Sequence, residues 1–328
     1  MIPPVSVLDL VSVREGGTVA EAMADTAMLA QVAEEAGCKR FWIAEHHGMP
    51  GIAGGATSVV LAHIGHATST IRIGAGGIML PNHNPFVIAE QFGTLDALFP
   101  GRIDLGLGRA PGADARIGQA LRKDLMAESS HFPQDVVELQ AYFAGVEGLP
   151  ILPTAGPGAA VDVWILGSSL FGAQLAAHLG LPYAFASHFA PAQLDAALEL
   201  YRARFQPSAL LDKPRVMAAM TAIVADTDEE ARLLASSMDQ SFVALRTGSP
   251  GRLPPPVEGY RESLQPHVLA GLEAMREASA VGSPDTARRA VAAFVERTRA
   301  DELIVSGTIW DPRARARSLR LLMQALSG

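Results

Sequence analysis

The sequence predicts a single (β/α)8 barrel. Eight short apolar runs read as strands, helical patterns stand between them, and no internal repeat divides the 328 residues. Several runs stop abruptly in polar, charged or Gly-rich residues, as parallel strands do when functional groups sit at their C-terminal ends. A doubly wound open sheet is the competing architecture on pattern alone.

In chain order, residues 5–13 read as strand one, and a helix follows over about 18–36, acidic early (Glu21, Asp25) and stopped by Gly37. Residues 39–44 are strand two, cut off by Glu45-His46-His47; a helix over 57–68 leads to strand three at 71–80. Residues 85–98 form a helix ended by Pro100-Gly101, and 102–107 are strand four. The next connection is long: a peripheral helix over 113–128, the helix proper over 133–144, and a Gly/Pro-rich link over 145–160. Strand five spans 161–166, with Gly167-Ser168-Ser169 opening its helix, and strand six spans 183–186 before a helix over 191–205. Residues 216–224 are strand seven, and Asp226-Thr227-Asp228-Glu229-Glu230 is a strong helix start. Residues 247–256, with Pro254-Pro255-Pro256, break the pattern before helical patches at 258–276. A helix over 283–299, strand eight at 302–305 and a closing helix over 314–326 complete the chain. The domain expectation is one unit over 1–328, with an insertion after strand seven, about 246–283, as a candidate lid.

Composition narrows the function classes. A hydrophobic content of 49% supplies a large core, and no run approaches the roughly 18 uncharged residues of a membrane helix. The first ten residues lack the basic and small-residue features of a secretory leader, so a cytoplasmic location is expected. Cys38 is the single cysteine, which excludes an intrachain disulfide and a cysteine metal cluster. A net charge of −8 argues against nucleic acid or anionic membrane as partner and favours a small molecule.

Candidate chemistry gathers at the strand ends. Adjacent His46 and His47 follow strand two and point to opposite sides in extended backbone, so at most one of them faces the mouth, where it suits a proton-transfer or hydrogen-bonding role. Both also fit a plainer role as loop braces. Glu45 reads as a buried partner for a neighbouring loop, and metal binding is disfavoured because no third ligand shows the right spacing. Gly74, Gly76 and Gly77 interrupt strand three, where they admit a flat ligand, a cis peptide or a bulge. Arg109, among glycines after strand four, suits a phosphate or simple solvation. The spacing G-x-G-x-x-x-G around it is not a dinucleotide fingerprint. Gly167, Ser168 and Ser169 form either an anion cradle at a helix start or an ordinary serine cap. Since strands four and five are neighbours, Arg109 and this turn can reach one phosphate. His63, His66, His83, His131, His178, His188 and His267 join no constellation, although His188, just past strand six, has access to the mouth.

With these residues in place, the chain resembles the luciferase-like flavin monooxygenases. The blocks that carry the resemblance are Phe41-Trp42-Ile43-Ala44-Glu45-His46-His47, Ile78-Met79-Leu80-Pro81-Asn82-His83, Ala89-Glu90-Gln91-Phe92-Gly93-Thr94-Leu95-Asp96 and Gly101-Arg102-Ile103-Asp104-Leu105-Gly106-Leu107-Gly108-Arg109. Trp164-Ile165-Leu166-Gly167-Ser168-Ser169, Gly180-Leu181-Pro182-Tyr183 and Asp301-Glu302-Leu303 extend it over essentially the full length. The resemblance implies FMN at the C-terminal face of the barrel. It implies a non-prolyl cis peptide at Gly76-Gly77 beneath the ring, the flavin phosphate held by Arg109 and the 167–169 turn, and His46 as the catalytic histidine. It further implies reduced FMN from a separate flavin reductase, oxygen and a small organic substrate, a flavin 4a-hydroperoxide intermediate and a homodimer. Two departures are visible: Leu170-Phe171-Gly172 stands where relatives often carry a further hydroxyl, and the Gly54-Gly55-Ala56-Thr57-Ser58 loop lacks the Pro and acidic residue expected of close relatives. The alternatives are a deazaflavin-dependent hydride-transferring oxidoreductase and a flavin-binding protein without turnover.

Overall fold

The structure, a computed structural model, describes residues 2–109 and 115–327, without the side chains of Ala115 and Met126. Its elements run β1 (Val5–Asp9), α1 (Val19–Glu35), β2 (Arg40–Ile43), α2 (Thr57–Ala67), β3 (Arg72–Met79), α3 (Pro85–Leu98), β4 (Ile103–Gly108), α4 (Ala115–Leu121) and α5 (Leu125–Ala144). They continue as β5 (Asp162–Gly167), α6 (Leu170–Leu179), β6 (Tyr183–Phe185), α7 (Leu194–Arg204), β7 (Val216–Val224), α8 (Asp228–Arg246), α9 (Pro266–Met275), β8 (Ser279–Gly282), α10 (Pro284–Thr298), β9 (Glu302–Ser306) and α11 (Pro312–Ser327).

All strand pairs are parallel. They close the ring β1-β2-β3-β4-β5-β6-β7-β9 through β6–β7 and β1–β9. This is the eight-stranded barrel expected from the sequence. Helix starts follow local chemistry: Thr18 and Glu21 make a reciprocal capping box at α1, and the Asn84 side chain accepts from the Phe86 N–H, with Pro85 at the first turn of α3.

Strand alternation divides two cores. Phe41 and Ile43 of β2 join the large core outside the barrel wall, whereas Trp42 and Ala44 join Leu8, Trp164, Ala184, Met217, Ala219 and Ile304 inside the ring. Trp42 and Trp164 meet edge to face, with centroids 5.6 Å apart. Below them, at the N-terminal strand ends, Arg40 lies 2.8 Å from Asp104 and 2.6 Å from Glu302. Ser6 donates to Glu302 and the Trp42 indole to Asp104, so these buried charges are paired and hydrogen-bonded. The base of the barrel is thus plugged, and a ligand has the C-terminal mouth to enter by.

Three expected features differ. Strand one ends at Asp9 rather than continuing to residue 13. The Asp9 carboxylate accepts from the Val11 N–H and Thr26 and pairs with Arg315, while Val11 takes a positive φ of 52°. The helix expected to begin at 133 begins at Leu125 and carries Pro133 in its interior. The start of the helix expected over 113–128, and the Ala110-Pro111-Gly112 end of the Arg109 run, fall outside the described residues. Finally, the region expected as an insertion ends in a short strand: β8 pairs with Thr221–Val224 of β7, beyond the ring.

Residues 247–256 run as a strap across neighbouring loops. Leu253 N–H donates to Val13 O at 2.9 Å, and Glu15 N–H donates to Leu253 O at 2.8 Å. Val13 N–H in turn donates to Gly51 O, and Ala53 N–H to Val11 O. The strap is therefore tied to the loops that follow β1 and β2.

Candidate active site

The β2 end sorts its polar residues by alternation. Trp42 and Ala44 face inward, so Glu45 and His47 turn outward and His46 turns toward the mouth. Glu45 is 2% exposed. Its Oε1 lies 2.6 Å from His47 Nε2 and 2.8 Å from His83 Nε2, and accepts from Asn82 Nδ2. Its Oε2 accepts from the Met79 N–H at 3.0 Å. Burial raises the Glu45 carboxyl, but the hydrogen bonds from His47 and His83, the His83 charge and the Met79 N–H outweigh it and bring it down to about 2. The hydrogen bond to Glu45 raises His47 against its partial burial. Glu45 thus fastens the end of β2 to the turn after β3, the loop-partner role expected of it.

His83, expected to stand alone, belongs to this cluster; it lies too far along the chain for a spacing rule to find it. The ligand atoms of Glu45, His47 and His83 all lie within 4.8 Å of one another, a donor set that could hold a metal ion. The third ligand that sequence spacing did not show is thus supplied by His83, although both imidazole Nε2 atoms already hydrogen-bond Glu45 Oε1.

His46, half-buried, has no hydrogen-bond partner among the described residues. Burial lowers its pKa, opposed by the Glu45 charge and reinforced by His47, so the imidazole is neutral above its ordinary 6.5. His188, at the end of β6, has a buried Nδ1 with no partner. Burial and the charge of His46 lower it to about 4. The mouth therefore presents two neutral imidazoles from different walls.

The Gly76-Gly77 peptide is cis. The β3–β4 register shifts between Gly76 and Ile78, which is the bulge the glycines also allowed. A Cβ on Gly76 would lie 2.8 Å from Leu8 Cδ1 and 2.9 Å from Trp42 Cε3, and one on Gly77 would lie 2.5 Å from Gly106 O. The barrel's own packing thus requires both glycines.

Arg109 and the turn after β5 come together. The exposed Arg109 guanidinium lies 3.9 Å from the centroid of the Phe171 ring, in the first turn of α6. Phe171 belongs to the departure noted in the sequence, and it gives Arg109 a platform beside the helix start. Ser169 is the N-cap of α6 but makes no side-chain capping hydrogen bond, so the first N–H groups of the helix lack a side-chain cap. A cation, a serine pair and an open helix N-terminus at one edge of the mouth suit an anionic group.

Residues 4–302 match the family described as luciferase-like monooxygenase. A luciferase-like monooxygenase of Escherichia coli K12 is 48% identical over 97% of this chain and 95% of its own. The N-acetyl-S-alkylcysteine monooxygenase of Bacillus subtilis is 34% identical over 74% of each. Among solved structures, apo-MsnO8 superposes with a TM-score of 0.89 at 33% identity, covering 99% of this chain and 98% of that one.

Proposed function

This chain belongs to the luciferase-like monooxygenase family, and we propose that it works as an FMN-dependent member, fed with reduced FMN by a separate reductase. It is an oxygenase, and the proposal concerns its cofactor, its residues and its substrate. The observation that carries it is the meeting of Arg109 with the uncapped start of α6, on the rim of a mouth that also holds two neutral imidazoles.

In this reading Arg109, Ser168, Ser169 and the Gly167 turn hold the FMN phosphate. The ring lies toward Gly76 and Gly77. Bound reduced FMN supplies the activation of molecular oxygen. His46, uncharged at neutral pH and without a hydrogen-bond partner among the described residues, holds or moves a proton at the reacting edge. Glu45 fixes the end of β2 and so sets where His46 stands. The strap over 247–256 closes one side of the mouth and contributes to substrate choice. We place the enzyme in the cytoplasm as a homodimer. The name of the 34% identical relative makes N-acetyl-S-alkylcysteines the first substrates to try.

The test supplies purified protein with FMN, a flavin reductase, labelled oxygen and an N-acetyl-S-alkylcysteine series. The reading expects one labelled oxygen atom in the product, with His46→Ala keeping FMN binding and losing most turnover. Unchanged turnover in His46→Ala would remove its assigned role. Binding of a deazaflavin but not FMN would transfer the site to hydride chemistry.

A further inference from the structure

The unpartnered nitrogen of His188 has a use that the phosphate site and His46 leave unfilled. Its Nδ1 is buried and has no hydrogen-bond partner among the described residues. A buried polar atom without a partner costs free energy that an apolar residue would avoid. The segment that presents it is held from several sides. Ala186 N–H donates to Gly167 O at 2.9 Å, Ser187 N–H donates to Phe185 O at 3.0 Å, and the Ser187 hydroxyl donates to Ala219 O. Phe189 and Ala190 N–H groups both donate to Ala186 O, folding the turn back on itself. Five hydrogen bonds therefore fix the segment around a residue whose Nδ1 has no partner among the described residues.

Its position is equally specific. In the ring, β6 stands four strands from β2, so the segments carrying His188 and His46 rise from opposite walls of the mouth. Gly167, which anchors Ala186, opens the turn assigned above to the phosphate. β5 and β6 are paired neighbours, so a ligand held at the turn after β5 lies beside the segment that carries His188. The imidazole there is neutral, so it suits an uncharged donor or acceptor better than an anion.

We propose that His188 is a cofactor-binding residue whose Nδ1 hydrogen-bonds the uncharged polar edge of the flavin ring. The proposal rests on the FMN reading of the mouth and adds a contact to it on the wall opposite His46. The free protein carries the cost of the unpaired nitrogen, and the bound ring relieves it.

The experiment titrates wild type, His188→Leu and His188→Asn with FMN, and records thermal unfolding of each without ligand. Leucine keeps bulk and removes the hydrogen bond; asparagine places a polar atom near the position of Nδ1. FMN binding should weaken about tenfold in His188→Leu and stay within about threefold of wild type in His188→Asn. His188→Leu should unfold at the same or a higher temperature than wild type, since it removes an unsatisfied polar atom. Equal FMN affinity in wild type and His188→Leu overturns the proposal while leaving the FMN reading intact. Equal weakening in both variants also overturns it, because volume rather than hydrogen bonding would then matter. Failure of wild type to bind FMN defeats the FMN reading first and this contact with it. If His188→Leu does not fold, the 15N resonance of His188 Nδ1 in wild type decides: movement on adding FMN supports the contact, and no movement overturns it.

Discussion

The Glu45 carboxylate and the His83 imidazole, 38 positions apart in the chain, lie 2.8 Å apart. That contact joins the end of β2 to the turn after β3, and with His47 it leaves His46 as the residue of its run directed to the mouth. A single buried carboxylate therefore organises the backbone on which the proposed proton-transfer group stands.

Glu45→Ala should be costly for the fold. It strips the partners from two histidines, an asparagine side chain and a backbone N–H. A loss of about 3 kcal/mol is expected from breaking such a buried network, measured by urea unfolding. A loss under about 1 kcal/mol, the scale of a surface pair, would show that the cluster is not structural.

The same cluster sets a pH window for stability. Glu45 is held down at about 2, so its contribution is complete above its ordinary 4.5 and is lost as pH falls from there toward 2. His47 is raised, so its contribution is complete below its ordinary 6.5 and is lost as pH rises through its raised value. The pair is at full strength between about 4.5 and 6.5. Denaturation midpoints across pH should show His47→Gln losing more stability at pH 6 than at pH 9; an equal loss at both would contradict the pairing.

His46 should govern the acid limb of turnover. Its pKa is lowered by burial, so the neutral base persists below pH 6.5 and kcat/KM should fall at a lower pH than a free imidazole would give. His46→Ala should abolish that limb and lower the rate by about a hundredfold or more. A limb that survives in the variant would assign the proton chemistry elsewhere.

The sequence was legible where local chemistry decides. Residues 85–98 and 216–224 were read with the limits that the structure has, because Asn84-Pro85 starts one element and an unbroken apolar run defines the other. Ser279–Gly282 was missed because four residues after a helical patch carry too little pattern. The break expected before Pro133 did not occur; the Ser129 and Ser130 hydroxyls bond to the Leu125 and Ala127 carbonyls within the helix that passes through it. In the mouth, strand alternation left open which of His46 and His47 faces inward, and only the family resemblance singled out His46. The place of His83 was not legible, since it is set by a contact with chain 38 positions away, whereas the position of His188 just past strand six already gave it access to the mouth. Cofactor residues gather at strand ends and leave a signal, whereas substrate choice depends on how loops such as the 247–256 strap are tied down.

The most direct measurement is an anaerobic titration of wild type and Arg109→Ala with reduced FMN and with reduced riboflavin, which lacks the phosphate. Wild type should bind one FMN per chain and prefer it to riboflavin. Arg109→Ala, at an exposed side chain, should fold normally, bind FMN at least about tenfold more weakly and lose most of the preference. Equal binding of FMN and riboflavin by both proteins, or no saturable FMN binding at all, would contradict the phosphate site and the FMN chemistry built on it.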